Sequence, residues 1–357
     1  MQALVLAGGE GTRLRPLTYT TPKPVMPLAG RPFLSFMLDR LRRHGVEEVI
    51  LSCGFLSAGV RDVLGDVYGG MRLRYVIEEE PLGTAGPVRL AYDEGLLAER
   101  LLVLNGDVLT DMDLSAELAQ HKRTGAVATL ALVAVDDTAS YGVVPTDHEG
   151  RVQEFLEKTV GHAPTDRVNA GAYVLERDAV ERVAPGRAVS FEHEVFPALV
   201  GEGLYGWPAD CYWIDIGTRE RYLEATWDLL AGRVESDLPE RDETGSLVYQ
   251  PGLVSGARIG PQSVLGAHCS VGVGATVERS VLHEGVLVGP DCSLREAVVG
   301  ERSRLGERTQ LEPGAVVGAG ATLGASTTVG EGAQVAPDAE LPEGARVAQG
   351  EVVGVTG

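Results

Sequence analysis

An apolar run, LVLAG, leads directly into GEGTRLRPLTYTTPKP, a stretch that holds Gly8, Gly9, Gly11, Arg13, Arg15 and Lys23. Glycines admit positive φ and let backbone N–H groups approach phosphate oxygens closely. The guanidinium and ammonium groups supply the opposing charge. Such a turn suits a polyphosphate. It is not a Walker A loop, because no GK[ST] follows, and Arg13, Leu14 and Arg15 occupy the region of the third glycine in a dinucleotide fingerprint. Downstream, LNGDV places Asp107 just past an apolar run, where open α/β sheets bind their ligands. A second acid, Asp215, sits in YWIDIG. Two carboxylates converging on one point would hold Mg²⁺ together with substrate phosphates. Motifs for nucleophilic or zinc chemistry, such as GxSxG or HExxH, are missing.

The elements that must position these residues follow from periodicity. QALVLAG, EEVILSC, RLRYVI, RLLVLNG and AVATLALVAV read as strands. FLSFMLDRLRRHG, SAGVRDVLG, AGPVRLAYDEGLL and LSAELAQHKRTG carry apolar residues at helical spacing. Alternation of this kind predicts a largely parallel sheet covered on both faces. The helix TRERYLEATWDLLAG closes the domain at Gly232, and residues 233–250 read as a polar linker. From Leu253 to Val353 an aliphatic residue then recurs every six positions, with two steps of five (Val277 to Leu282, Leu294 to Val299). That period fits neither an amphipathic helix nor a hairpin sheet. It predicts a parallel β-helix over residues 251–357, with one inward side chain per short strand.

Composition narrows the function further. A net charge of −20 argues against nucleic acid or an anionic membrane as partner. The four cysteines show no CxxC spacing and read as reduced, mostly buried thiols. With no long apolar run and no basic leader, the sequence predicts a cytoplasmic protein. The chain uses three lysines against 28 arginines, and only two asparagines. Lys23 and Asn105 fall inside the motifs above, and Lys158 and Asn169 inside EFLEK and VNAGAYVL, which marks all four as positions where that chemistry is needed.

GGEGTRLRPLT with TPKP resembles the signature of the sugar-1-phosphate nucleotidylyltransferases. EEEPLGTAGP, LNGDV, YGVV, EFLEK, VNAGAYVL and YWIDIGT extend the likeness in order, and many members carry a C-terminal hexapeptide helix, whose left-handedness is implied by the same resemblance. It implies a Rossmann-like α/β nucleotidyltransferase domain over residues 1–232 followed by a left-handed β-helix. It also implies an NTP and a sugar 1-phosphate as substrates, Mg²⁺ as cofactor, and assembly as a homo-oligomer. The resemblance puts Leu6, Ala7, Gly8, Gly9, Gly11, Thr12, Arg13, Lys23, Glu78, Gly83, Thr84 and Asp107 on the nucleotide. Gly142, Glu157, Lys158, Asn169 and Asp215 fall on the sugar phosphate. Arg13, Lys23, Asp107 and Asp215 are the catalytic set, and Asp107 and Asp215 carry the metal. Thr159 departs from the family, where proline often follows this lysine.

Relatives that use uracil or thymine typically carry glutamine at the position of Glu78. A carboxylate only accepts hydrogen bonds, so it suits guanine, with N1–H and N2–H₂ side by side. GTP is therefore the expected nucleotide. EEEPLGTAGP also resembles the guanylyltransferase version of this segment, which implies mannose 1-phosphate as co-substrate. Of Glu79 and Glu80, one should face solvent and the other steady the loop or the following helix. The alternatives are a glucose-1-phosphate thymidylyl- or uridylyltransferase, an acyltransferase using a β-helix histidine (His268 or His283), and a catalytically silent regulatory homologue. The last would be expected to lack some of the four catalytic residues, and all are present.

Overall fold

The computed structural model describes residues 1–54, 56–157, 163–250, 254 and 256–354. The chain divides into two compact units, Met1–Glu10 with Leu34–Ile214, and Gly11–Phe33 with Asp215–Gly357.

In the first unit, Gln2–Leu6 lies between Glu48–Cys53 and Arg100–Asn105, all parallel, and Met71–Ile77 extends the set beyond Glu48–Cys53. Gln2–Leu6, Glu48–Cys53 and Arg100–Asn105 are buried on both faces, with Leu4, Val5, Ile50 and Val103 inaccessible, whereas Met71–Ile77 alternates between buried and exposed residues. Burial on both faces explains why the first three read as continuous apolar segments without alternation. All five expected strands are present, and so are the four expected helices, at Phe33–Arg43, Ser57–Leu64, Gly86–Asp93 and Leu114–Thr124. The sheet is more mixed than the sequence suggests. Arg167–Glu176 runs antiparallel to both Arg100–Asn105 and Ala128–Ala134. Gly142–Val143 and Leu156–Glu157 add an antiparallel ribbon at that edge. No helix bridges Ala128–Ala134 to Arg167–Glu176 among the described residues, and antiparallel pairing needs no crossover. Leu204–Pro208 then pairs in parallel with Ala128–Ala134.

The second unit contains the helix Arg219–Leu230 and a triangular stack of short strands. Three parallel sheets run the length of the stack, holding seven, six and five strands. This is the architecture expected of a left-handed β-helix. Ile259, Leu265, Val271, Val277 and their successors each lie in one of these short strands and form the core of the coil, and most are fully buried. Leu253 lies outside the described residues. The two five-residue steps have a structural cause. They fall at one corner, where Arg279 and Glu296 take positive φ directly after three-residue strands. Beneath that corner, Ser246, Ser263 and Ser280 form a buried ladder. Each hydroxyl accepts the backbone N–H found 17 residues later, at 3.0, 3.3 and 3.1 Å. His283 is sealed in this unit at 5 % exposure with its Nε2 on the Tyr222 hydroxyl, so it does not present a base to solvent.

The four cysteines are free, three of them buried and Cys211 half-buried. No helix of the described residues is long and apolar enough to cross a membrane.

One buried acid stands outside any motif. Glu117 lies on the face of Leu114–Thr124 that also carries Gln120 and His121, which bond to Gly206 O and Thr129 Oγ1 of the sheet. Its side chain is inaccessible, and neither carboxyl oxygen meets a donor among the described residues. Burial raises its pKa from 4.5 to about 8. Between those values the folded state keeps a proton that the unfolded chain releases. Stability therefore falls as pH rises through this window, by up to about 1.4 kcal/mol per pH unit. Glu117→Leu is expected to raise Tm, with a gain several degrees larger at pH 8 than at pH 5. Thermal melts of both proteins at the two pH values check this, and an equal gain at both would refute it.

Candidate active site

The C-terminal ends of the central parallel strands in the first unit come together as bare backbone. Ala7 N donates to Ser52 O, and Gly106 N donates to Leu6 O, both at 2.8 Å. A Cβ at Gly106 would stand 2.6 Å from Leu6 O, and one at Gly54 would stand 2.9 Å from Gly8 O. These close approaches require glycine. Leu6, Ala7 and Gly8 therefore sit at the strand ends beside Asn105 and Gly106, and Asp107 follows immediately, at the place where an α/β sheet takes its ligand.

Glu78 belongs to this same place. Its Oε1 accepts from the Ser52 hydroxyl at 2.7 Å, and its Oε2 accepts from Leu82 N–H at 3.2 Å. Oε1 also lies 2.6 Å from the point where a Gly8 side chain would begin. The carboxylate is thus fixed against the glycine loop by a fully buried serine that sequence reasoning did not single out. Glu79 and Glu80 are exposed. The acid that steadies the loop is Glu78 itself, through Leu82, and neither of its neighbours. Next to it, Gly83 has φ 75°, and a Cβ there would stand 2.5 Å from Val189 O. Val189 in turn bonds Leu82 O and Ala85 N, both at 2.9 Å, which locks the PLGTAG turn to the chain at residue 189.

Thr84 leads into a polar network. Its hydroxyl donates to Glu192 Oε2 at 2.6 Å and accepts from Phe191 N–H at 2.8 Å. Ser190 Oγ donates to the same carboxylate oxygen at 2.7 Å. On the other side, the Tyr173 hydroxyl reaches Glu192 Oε1 at 3.5 Å and accepts from Asn169 Nδ2 at 2.9 Å. Asn169 Oδ1 accepts from Gly171 N–H at 3.0 Å, where the strand Arg167–Glu176 shifts register. Burial, with the adjoining Glu192, pushes the Tyr173 hydroxyl well above the usual tyrosine range, so it remains a donor. Thr84 and Asn169, expected on opposite substrates, are therefore joined through Glu192 and Tyr173. Glu192 has no sequence signal: FEHEVFP offers two acids, and only folding selects one of them. Gly142 pairs with the backbone of Glu157 at the sheet edge. Lys158 and Thr159 lie outside the described residues.

The second unit holds the remaining expected residues. Gly11, at φ 64°, opens a short turn over Thr12–Leu14 and accepts the Thr18 hydroxyl on its carbonyl at 2.8 Å. Lys23 is buried to 9 % exposure, with its Cβ 3.2 Å from the point a Gly11 side chain would occupy. Arg13 and Asp215 meet over Gly217. Arg13 Nη2 lies 2.7 Å and Asp215 Oδ1 3.2 Å from the position of a Gly217 Cβ. A glycine there is what lets the cation and the acid share one point. Asp215 leads into Thr218, which caps Arg219–Leu230 by accepting from Arg221 N–H at 3.3 Å.

Residues 2–232 match the family model described as nucleotidyl transferase, and residues 252–353 match the GMPPB C-terminal domain. The mannose-1-phosphate guanylyltransferase of Mycobacterium tuberculosis is 41 % identical over 297 residues, 82 % of each chain. Mannose-1-phosphate guanylyltransferase 1 of Arabidopsis thaliana is 32 % identical, covering 85 % of this chain and 87 % of its own length. A UTP–glucose-1-phosphate uridylyltransferase of Synechocystis is 29 % identical over 84 % of this chain and 87 % of its own length. Among solved structures, HddC of Yersinia pseudotuberculosis complexed with GMP-PN is 31 % identical, with a TM-score of 0.54. It spans 63 % of this chain and 97 % of its own. The glycine-rich strand ends and the Arg13–Asp215 pair thus occur in a chain that belongs to the nucleotidyl transferase family.

Proposed function

We propose that this protein transfers a guanylyl group from GTP to mannose 1-phosphate, forming GDP-mannose and releasing pyrophosphate. A phosphate oxygen of the sugar 1-phosphate bonds to the α-phosphorus of GTP, and the bond from that phosphorus to the pyrophosphate oxygen breaks. The nucleophile is already largely dianionic near neutral pH, its second pKa being about 6, so the reaction calls for no general base. Positioning and charge neutralisation carry the catalysis. Leu6, Ala7, Gly8, Gly9, Gly11 and Thr12 form the backbone cradle, and Arg13 and Lys23 meet the phosphate charge. On the acceptor side, Gly142, Glu157, Lys158 and Asn169 receive the sugar phosphate.

The observation that carries the choice of guanine is the fixed carboxylate of Glu78. Each of its oxygens accepts one bond from the protein, at 2.7 and 3.2 Å, and each keeps a lone pair. Two acceptors held side by side match the adjacent N1–H and N2–H₂ of guanine, whereas a pyrimidine offers a single N3–H between two carbonyls. The relatives named as guanylyltransferases support the same reading.

Mg²⁺ is the proposed cofactor. No group of three or more His, Cys, Asp or Glu that could hold a metal occurs among the described residues. Mg²⁺ commonly needs only one or two carboxylates with substrate phosphates completing its shell. Asp107 and Asp215 supply hard oxygen donors of that kind. When bound, the ion would neutralise phosphate charge.

Pyrophosphate release should be greatest with GTP and mannose 1-phosphate when all four NTPs are screened against mannose and glucose 1-phosphates. The uridylyltransferase relative makes UTP with glucose 1-phosphate the pair that would overturn this assignment. Glu78→Gln is expected to cut the GTP-to-UTP ratio of kcat/KM at least tenfold, about 1.4 kcal/mol; an unchanged ratio would remove Glu78 from base recognition. Glu192→Ala leaves three hydroxyls without their acceptor and should lower kcat/KM for both substrates by one to two orders of magnitude, about 1.5–3 kcal/mol. Steady-state kinetics like those of the unsubstituted protein would reduce Glu192 to a packing role.

A further inference from the structure

The segment Gly11–Phe33, which carries Arg13 and Lys23, has little regular structure of its own. It consists of three short helical turns and a two-residue ribbon. Within the second unit its backbone is held from outside at several points.

The first is the Tyr222 hydroxyl, fully buried in Arg219–Leu230. It lies 2.6 Å from Pro27 O and 3.0 Å from His283 Nε2 of the β-helix. A phenol has one proton, and a carbonyl can only accept, so Tyr222 donates to Pro27 and His283 Nε2–H donates to Tyr222. Burial lowers the His283 pKa to about 4, so the ring is neutral and this tautomer completes the chain.

The second point is Tyr249. Its hydroxyl donates to Ala29 O at 2.8 Å, and its ring lies over Gly30, where φ is 77° and a Cβ would stand 2.3 Å from the ring. Ala29 itself adopts φ 47°, a left-handed conformation that costs energy for a residue with a side chain and persists where surroundings enforce it. The third is Gln334, far along the β-helix. With its amide oriented by its partners, Nε2 donates to Arg15 O at 3.1 Å and Oε1 accepts from Arg219 Nη1 at 2.8 Å. Arg31 adds a longer bond to Asp237 O at 3.4 Å. The contacted atoms on the segment, at residues 15, 27 and 29, are backbone carbonyls flanking Lys23 on both sides, the first of them two residues from Arg13.

We propose that the β-helix, together with the helix Arg219–Leu230 bonded to it, is the mould of the phosphate-binding segment, with Tyr222, His283, Tyr249 and Gln334 acting as positioning residues that fix its backbone. This gives the C-terminal domain a part in the reaction without a ligand of its own. It rests on the functional reading above only for the role of Arg13 and Lys23. The bonds themselves are tested separately from activity.

The experiment uses the full chain with Tyr222→Phe and Gln334→Ala. The first removes one buried hydroxyl, and the second truncates a half-buried side chain on the outside of a strand, so at least one variant retains the fold. Hydrogen exchange followed by mass spectrometry should show amides of residues 12–31 exchanging at least tenfold faster, with the strands from Val264 to Val335 unchanged. Steady-state kinetics should show KM for the nucleotide raised at least fivefold and KM for the sugar phosphate within twofold of the unsubstituted value. Unchanged exchange over residues 12–31 in both variants would overturn the proposal. So would equal shifts in both KM values, which would mean a general loss of structure. Should the unsubstituted protein fail to transfer guanylyl groups, the functional reading falls while the exchange result still decides whether the mould exists.

Discussion

The ends of the parallel strands in the first unit are shaped by backbone that approaches too closely for side chains. A methyl group at Gly106 would meet Leu6 O at 2.6 Å, and one at Gly54 would meet Gly8 O at 2.9 Å. Close approach of this kind is what glycine uniquely permits. It brings peptide N–H and C=O groups together at the C-terminal edge of the sheet. The Glu78 carboxylate fits there for the same reason: its Oε1 occupies space that any residue larger than glycine at position 8 would fill. Three consecutive acids beside the glycine-rich loop do not all face it. Two of them are exposed, and the third is turned onto a serine hydroxyl and a peptide N–H.

From that edge, order passes into the polar network around Glu192. A partly buried carboxylate is tolerable when its lone pairs are met, and this one takes two hydroxyls on one oxygen and a tyrosine on the other. The network ties the turn after Glu78 to the register shift at Asn169, so the two are not independent loops. Glu117 shows the opposite arrangement in the same unit, a carboxyl group with no donor among the described residues, held in its protonated form by burial. Similar side chains meet opposite surroundings, one with hydroxyl donors and the other with none among the described residues.

Much of this is legible in the residues. The central apolar runs are strands because a doubly covered sheet demands continuous apolar segments, while RLRYVI alternates as a half-covered strand does. The inward aliphatic repeat holds through the stack, shortened to five only at one corner, because each coil needs the side chains that fill it. Arg167–Glu176 reads in the sequence as a motif and not as a ten-residue strand, since its partner strands lie far away in the chain and its register breaks at the bulge. Ser52 and Glu192 are invisible for a related reason. Neither residue type is unusual in its local context, and their meaning comes only from the acids and hydroxyls that folding sets beside them. The Tyr222, Tyr249 and Gln334 bonds are hidden more deeply, because their partners are backbone carbonyls, which every residue possesses and no sequence pattern marks.

Those backbone bonds give the β-helix a bearing on the segment Gly11–Phe33 of its own unit. The segment TTPKPVMPLAGRP has four prolines, which lack a backbone donor, and its only ladder is the two-residue ribbon of Pro27–Leu28 with Arg31–Pro32. Its carbonyls remain available, and donors from elsewhere must meet them if the segment is to hold one shape. Tyr249 and Gln334 of the coils, with Tyr222 of Arg219–Leu230, supply such donors. The shortened corner serves the same end. At Arg279 the carbonyl accepts the Trp227 indole N–H at 3.1 Å, and the guanidinium lies 3.8 Å over the indole ring. The helix that carries Tyr222 is thereby seated against the coils, which sets where its hydroxyl can reach. Removing one residue from the corner is a small change in the repeat, and it falls where the helix docks.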